Sequence, residues 1–547
     1  MLHIFIGSRI AAFLAGMACH LFIFRCGEWD TMTWKIILST LSLYFGAITV
    51  LATVPLQDEP PFSAYRSINV VTTLGLLAVS GVFASMALYR SLFHRLSAFP
   101  GPFLARFSNF YITYLSIKRS HLYEEVEQLH QEHGDFVRIG PSELSIADPE
   151  AVMAIHGPKS TCAKGPWYTI NNPMISLQMI RSKPHHVQRR RIWDRGFSAK
   201  ALRDYEPRVV DYAEQLLSHL AATEGNPVNV TDWFNFYSFD VMGDLAWGKS
   251  FGMLRGGVKH HFMNSLHEFM ATVGAFGHLV WLLDVLKGIP VLNRDSKSFW
   301  GWIQSQVTGR KSMTPDRPDV FFWLLEDHNS KQPTFQDELL LTGDAALIAV
   351  AGSDTTAASL TCLFYELCRR PEIITRLQNE IDEVYADPDT VDSVSLSKLP
   401  FLNAVINETL RLHPPVPSGV QRVTPPEGLQ IGKHFIPGNT IVQIPTHTMC
   451  RDERNFASPN DFVPERWTTN PEMVKNSAAF VPFSVGRYSC TGKHLGLMEI
   501  RHVVSTILRK YVVEFAPGVS AEAFLDGKQD NFTLALAPLM IVFSNRN

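Results

Sequence analysis

The chain has 547 residues, of which 46% are hydrophobic and 18% are charged, and its formal net charge is −3. A chain of this length can bury a large core. The near-neutral charge gives no basic surface of the kind that binds nucleic acid, so nucleic acid is not an expected partner. The seven cysteines show no spacing typical of a disulfide framework or a structural metal site, which fits a reducing compartment.

Three long apolar stretches open the chain, at residues 4–24, 35–56 and 68–89. Each is long enough to cross the hydrocarbon core of a bilayer, which takes ~20 residues; buried core helices are the alternative. Arg90 and two further arginines follow the third stretch closely, and the positive-inside rule therefore places the rest of the chain in the cytosol. We predict a membrane anchor at residues 1–90 with up to three transmembrane helices.

A Phe-Pro-Gly-Pro segment at residues 99–102 follows the anchor, and its prolines make it stiff. We assign residues 91–120 to a proline-containing linker and residues 121–547 to one main domain. The spacing of apolar residues predicts a helix over residues 121–133. Alternating apolar and polar residues on both sides of Gly140 predict a β-hairpin after it. The main domain is therefore expected to begin with a small β-rich lobe.

A dense basic run spans residues 185–193. His186 and Arg190 are four residues apart, so on a helix they share one face. Imidazolium and guanidinium groups suit carboxylates by charge and geometry. A solvated helix face and a docking patch for an acidic partner are the alternatives.

A long helix is predicted from the capping residue Thr334, with Asp337 three residues on, to Cys368. Ala351-Gly-Ser-Asp-Thr355-Thr lies in its middle. The small residues would let a planar cofactor approach, and the Thr355 hydroxyl can donate to a carbonyl one turn earlier and distort the helix locally. A carboxylate and a hydroxyl in apolar surroundings are costly unless they are used.

Two further segments carry charged residues within apolar sequence. Glu408 and Arg411 are three residues apart on a predicted helix, and Arg466 in a later Pro-Glu-Arg-Trp segment offers a second cation. A buried pair of this kind needs additional hydrogen bonds. We expect a structural ion-pair cluster.

Cys490 lies between two glycines, Gly486 and Gly492, directly before an apolar helical run at residues 495–508. Such a cysteine is either a small buried hydrophobic residue or a ligand. The glycines allow backbone to approach a flat cofactor, and the start of a helix offers N–H groups that lower the pKa of a thiol. A thiolate held in this way can be the axial ligand of haem iron.

The cysteine segment resembles the haem-ligand signature of the cytochrome P-450 superfamily, Phe-x-x-Gly-x-Arg-x-Cys-x-Gly. Phe483, Gly486, Cys490 and Gly492 are in register with it, whereas Tyr488 occupies the arginine position. A tyrosine hydroxyl donates less strongly than a guanidinium. The basic run, the Asp-Thr-Thr helix and the Glu-x-x-Arg cluster resemble family motifs in the same order.

The resemblance implies a mainly α fold with a small β lobe, preceded by a transmembrane helical anchor, and a haem b cofactor ligated by Cys490. It assigns oxygen activation and proton relay to Thr355 and Asp354, and a structural role to the ion-pair cluster. The remaining implied roles are haem contacts from Phe483, Gly486, Tyr488, Gly492, His186, Arg190 and Arg422, and substrate-cavity positions at Ala351, Val416, Val420, Phe532 and Thr533.

The implied function is a haem-thiolate monooxygenase in the endoplasmic-reticulum membrane, with its catalytic domain in the cytosol. It would insert one oxygen atom from O₂ into a hydrophobic small molecule, with NADPH-derived electrons delivered by a separate flavoprotein reductase. The anchor and the wording of the cysteine motif resemble fungal members, and we favour secondary metabolism over xenobiotic oxidation. The alternatives are a haem-thiolate isomerase or dehydratase that needs no reductase, which the Asp354-Thr355 pair disfavours, and a non-catalytic membrane haem sensor.

Overall fold

The computed structural model describes residues 2–55, 60–313, 318–385 and 391–546, so Leu56 of the second predicted span lies outside the described residues. The described chain is mainly helical with small sheets. The helices of the first half are α1 (Leu2–Cys19), α2 (Thr33–Thr53), α3 (Ala64–Leu88), α4 (Phe110–Arg119), α5 (Leu122–His133), α6 (Ala151–His156), α7 (Lys183–Gly196), α8 (Ala199–Ala222), α9 (Val230–Trp247), α10 (Met253–Gly256) and α11 (His261–Phe276).

The helices of the second half include one of 34 residues, α15. They are α12 (Val280–Gly288), α13 (Arg294–Lys311), α14 (Val320–Asn329), α15 (Phe335–Cys368), α16 (Pro371–Val384), α17 (Ser393–Ser397), α18 (Pro400–Leu412), α19 (Thr446–Cys450), α20 (Lys493–Lys510) and α21 (Ala521–Asp526).

The strands are short. They are β1 (Phe136–Gly140), β2 (Glu143–Ile146), β3 (Ala163–Lys164), β4 (Val228–Asn229), β5 (Arg422–Val423), β6 (Leu429–Ile431), β7 (His434–Ile436), β8 (Ile441–Gln443), β9 (Tyr511–Phe515), β10 (Gln529–Asn531), β11 (Thr533–Ala535) and β12 (Met540–Asn545).

The chain packs as two units. The first comprises the described residues within 1–113, 138–143 and 276–293, and the second comprises those within 114–137, 144–275 and 294–547. The predicted domain boundaries at residues 90 and 120 stay predictions; α4 occupies the end of the predicted linker.

The first unit contains three helical segments that are long and apolar enough to span a membrane, at Gly7–Phe24, Asp30–Thr53 and Ala64–Phe93. Helices α1 and α3 approach until their backbones touch: a Cβ atom on Gly16 would lie 1.9 Å from the Ala78 carbonyl oxygen. Three long apolar helices are thus present as predicted, and their insertion in a membrane stays a prediction. A fourth segment of this length and hydropathy among the described residues, Phe335–Cys368, is mostly buried inside the second unit.

The core of the second unit is built around α15. Its predicted capping box is confirmed: the Asp337 N–H donates to Thr334 Oγ1 over 3.3 Å, and the Thr334 N–H donates to Asp337 Oδ2 over 2.9 Å. Apolar side chains of α8, α9, α18 and α20 form one buried cluster with it.

Two small sheets of the second unit bear on the site. Strand β5 pairs antiparallel with β3 on one side, where Arg422 lies beside Lys164, and with β8 on the other. Strands β10 and β11 form a hairpin in which Asn531 pairs with Thr533, so that Phe532 alone forms the tip.

Candidate active site

A cavity of about 420 Å³ lies within the second unit. Its wall is built by the middle of α15, the segment at 481–496, the segment at 414–422 and the tip of the β10–β11 hairpin. Most of the site residues predicted from the sequence line it: His186, Arg190, Ala351, Thr355, Val416, Val420, Arg422, Phe483, Tyr488, Cys490, Gly492, Phe532 and Thr533.

The cysteine loop is closed by a backbone hydrogen bond from the Cys490 N–H to the Phe483 carbonyl, 2.8 Å long. Gly486 turns the loop at φ = 69°, and a Cβ atom there would lie 2.5 Å from the His156 carbonyl oxygen. Only glycine meets both conditions. Gly486 therefore shapes the loop and does not itself line the cavity.

The Cys490 sulfur accepts hydrogen bonds from the backbone N–H groups of Gly492 and Lys493, at the start of α20. Cys490 is exposed to the cavity, but the surrounding protein still desolvates its thiol and raises its pKa, because this effect exceeds that of the two donors and of nearby Arg190. The net direction is opposite to the one expected from the helix start alone. The loop thus contributes position and hydrogen bonds to the sulfur, and ligation by a metal ion would deprotonate the thiol.

A cationic wall lies beside Tyr488. Arg190 in α7 donates from Nη1 to the Ser489 carbonyl over 2.6 Å, which ties α7 to the cysteine loop. The Arg422 guanidinium lies 4.8 Å from the centre of the Tyr488 ring, and the buried His186 ring meets the edge of the same ring at 4.7 Å. The predicted carboxylate-binding residues are therefore brought together on one side of the cavity.

Lys164 completes this wall and was not found by sequence reasoning. It is buried in β3, where Nζ donates to the carbonyls of Leu177 and Gln178 over 2.9 and 2.6 Å and lies 4.8 Å from the Tyr488 ring centre. Burial, followed by the charges of Arg422 and Arg190, lowers the pKa of Lys164 to about 6. A lone lysine in a two-residue strand has no sequence pattern that could have revealed it.

On α15, Thr355 and Asp354 face different surroundings. The Thr355 hydroxyl lines the cavity and donates to the Ala351 carbonyl, one turn earlier, over 2.8 Å, as predicted. The expected local distortion is not seen, because α15 stays α-helical over its whole length. Asp354 is buried off the cavity wall, with Oδ1 3.3 Å from Nε2 of His267 in α11. His267 is half-exposed and is a second residue that sequence reasoning missed.

The predicted ion-pair cluster is assembled and fully buried. Glu408 binds Arg411 through two hydrogen bonds of 2.7 and 3.0 Å and binds Arg466 Nε over 3.0 Å. The Trp467 indole and the Val463 N–H also donate to Glu408. The cluster joins α18 to the segment that contains Arg466, away from the cavity wall.

Comparison with known proteins identifies the class. The cytochrome P450 family model matches residues 100–543, and the chain belongs to this family. It is 50% identical to the cytochrome P450 monooxygenase FCK2 of Fusarium pseudograminearum over 535 residues, 98% of this chain and 97% of that protein. It is 39% identical to tryprostatin B 6-hydroxylase of Aspergillus fumigatus over 549 residues, 99% of this chain and 97% of that protein. The chain is therefore a cytochrome P450 monooxygenase, and this family binds haem through a cysteine thiolate.

The cavity fits a haem. Three buried polar atoms on the cationic wall, His186 Nδ1, Arg422 Nε and the Tyr488 hydroxyl, have no hydrogen-bond partner within the described part of the chain. Burial, followed by the positive charges of Lys164 and the surrounding arginines, lowers the pKa of His186 to about 3. Two propionate carboxylates would supply both acceptors and charge, with the iron placed at Cys490.

Lys164 gives the first prediction. Lys164→Met should speed the loss of haem by roughly tenfold, because a hydrogen bond to a charged group contributes about 1.5–3 kcal/mol. Lys164→Arg keeps a charged donor and should lose haem as slowly as the unsubstituted protein. Haem transfer to excess apomyoglobin measures the rate.

A compensating change provides the control. Adding Tyr488→Arg to Lys164→Met restores a cation at the arginine position of the signature, and slow haem loss should return. Equal rates of haem loss in Lys164→Met and the unsubstituted protein would contradict the assignment of Lys164 to the propionates.

Proposed function

We propose that this protein is a membrane-bound, haem-thiolate hydroxylase of a hydrophobic small molecule in fungal secondary metabolism, with Cys490 as the iron ligand. The observation that carries the proposal is the single cavity that collects Cys490, the cationic wall and the Thr355 hydroxyl. The named activity of the Aspergillus fumigatus relative, hydroxylation of tryprostatin B, supports hydroxylation as the reaction class.

Each part of the site has a physical task. Bound haem supplies the activation of dioxygen, which is the cofactor's own chemistry. The closed cysteine loop orients the sulfur, and Lys164, His186, Arg190 and Arg422 hold the propionates. The apolar remainder of the wall excludes water and retains a hydrophobic substrate.

Proton supply is the task of α15. The Thr355 Oγ1 hydroxyl stands on the cavity wall, where it can hold a proton, and Asp354 lies one residue earlier beside the half-exposed His267. Asp354 does not line the cavity, so a proton passes from it to Thr355 only if its side chain turns or water bridges the two groups. We assign His267 to the solvent end of this path.

The proposed setting is the endoplasmic-reticulum membrane, with α1, α2 and α3 as the anchor and the catalytic domain in the cytosol. The three apolar segments and the arginines that follow the third one support it. The proposed electron donor is an NADPH-dependent flavoprotein reductase.

The test is reconstitution of the full chain in membranes with such a reductase and a panel of hydrophobic compounds. Displacement of water from ferric haem, seen as a low- to high-spin change, identifies ligands. Product that forms only with NADPH, reductase and O₂ supports the proposal. Product formed without reductase would contradict it and favour the isomerase or dehydratase.

Thr355 gives the second prediction. In Thr355→Ala, product formed per NADPH consumed should fall by about 10²-fold, the lower end of what one positioned acid–base group contributes. Thr355→Ser keeps the hydroxyl and should keep most of the yield. NADPH consumption and product formation are measured in the same reaction. An unchanged ratio of product to NADPH in Thr355→Ala would exclude a role of the Thr355 hydroxyl in proton supply.

A further inference from the structure

The tip of the β10–β11 hairpin carries a strained aromatic residue. Phe532 has φ = 76°, a region that suits glycine and is unfavourable for a bulky side chain. Such strain persists only where the surroundings impose it, and it is concentrated at functional sites. At this position the strain is located on the wall of the active-site cavity.

The surroundings fix the tip firmly. The Asp530 N–H donates to the Ser120 carbonyl over 2.6 Å, and the Leu534 N–H donates to the Pro415 carbonyl over 3.0 Å. Asp530 in turn accepts hydrogen bonds from the Phe532 N–H and the Ser418 hydroxyl. These bonds fix the backbone of the tip, from which Phe532 lines the cavity.

One face of the Phe532 ring is already covered. The Trp167 ring stacks on it with centroids 4.5 Å apart and planes 23° apart, and Trp167 is itself buried. Phe532 remains half-buried on the cavity wall, so the supported ring is presented to the cavity. A rigid, pre-oriented aromatic surface favours a second flat ring, because offset stacking adds to simple burial.

A second pair of aromatic rings lies on the cavity wall. Phe269 in α11 and Phe299 in α13 form a second near-parallel pair, with centroids 5.6 Å apart and planes 8° apart, and both line the cavity. Among the described residues, α11, α13 and the hairpin tip contribute no charged side chain to the wall.

We infer that the substrate carries a planar aromatic ring system, and that Phe532, supported by Trp167, is the specificity-determining residue that stacks on it. The inference rests on the proposed function, since it concerns the substrate of the same cavity. The proposed function requires only a hydrophobic substrate, and the inference specifies that this substrate is planar and aromatic.

Two probes of similar size separate stacking from hydrophobic burial: naphthalene, which is planar and aromatic, and decalin, which is saturated and puckered. Each is titrated into the haem-loaded full chain in membranes, and binding is followed by the spin state and by equilibrium depletion of the probe. Naphthalene should bind roughly fivefold more tightly than decalin, the gain expected from aromatic pairing beyond burial.

Variants of Phe532 test whether its ring causes the preference for naphthalene over decalin. Phe532→Leu keeps an apolar side chain and should lose the preference, with decalin affinity changed less than twofold, whereas Phe532→Tyr should retain it. Phe435→Leu, the same substitution at an exposed residue of β7 that does not line the cavity, is the matched control and should behave as the unsubstituted protein.

Stability provides an independent readout of the strain. Glycine normally destabilises relative to alanine, but at φ = 76° the order should reverse, so Phe532→Gly should unfold at a higher temperature than Phe532→Ala. Equal or weaker binding of naphthalene than of decalin in the unsubstituted protein, or a preference that persists in Phe532→Leu, would overturn the inference. A protein without a thiolate-type haem spectrum would instead overturn the proposed function.

Discussion

Cys490→Ala is expected to abolish the thiolate-type haem spectrum and all turnover. Of the seven cysteines, Cys490 alone is on the cavity wall, and it is held there by the Phe483 carbonyl and the N–H groups that start α20. Alanine keeps the loop's backbone hydrogen bond but removes the sulfur, so the effect on chemistry should be complete and the effect on folding small.

The spectrum of the reduced, carbon monoxide-bound protein measures this, with circular dichroism as the check on folding. Cys368→Ala, at the half-buried end of α15, is the control and should keep the full spectrum. A thiolate-type spectrum that survives in Cys490→Ala would show that another residue is the ligand.

Glu408→Gln should destabilise the protein by about 3–5 kcal/mol, the penalty for leaving a buried charge without its partner. Arg411 and Arg466 are both buried, and Glu408 is the carboxylate that both of them bind. Glutamine occupies the same volume and still accepts hydrogen bonds, but it cannot balance two guanidinium charges.

The matched control is Glu465→Gln. Glu465 binds Arg376 over 2.6 Å, but both side chains are substantially exposed, and such pairs contribute about 0–1 kcal/mol. Denaturant unfolding of the full chain in detergent, monitored by tryptophan fluorescence, compares the two. Similar losses in both variants would show that the cluster does not stabilise the fold as described.

Features set by short spacing could be predicted from the sequence. The Glu408–Arg411 pair, the Thr334 capping box and the bond from Thr355 to Ala351 each join residues within four positions on one helix, so helical geometry fixes them. The family motifs then placed distant helices at one expected site. The cavity collects most of those residues, whereas Asp354 and Gly486 lie off its wall.

Features that depend on tertiary packing could not be predicted. Lys164 reaches the cationic wall because β3 pairs with β5, and His267 meets Asp354 across 87 positions of the chain. The direction of the Cys490 pKa shift also depended on burial, which the start of a helix does not reveal. The stacking of Trp167 on Phe532 likewise arises only where the chain returns to the cavity.

The origin of the oxygen atom in the product tests the monooxygenase reaction most directly. With a ligand identified by spin-state titration, the reconstituted protein and reductase are supplied with NADPH and dioxygen labelled with the heavy oxygen isotope, and the product is analysed by mass spectrometry. We expect one labelled atom per product molecule, dependent on NADPH and lost in Cys490→Ala. A product without label, or one that forms without electrons, would contradict a monooxygenase built on this cavity.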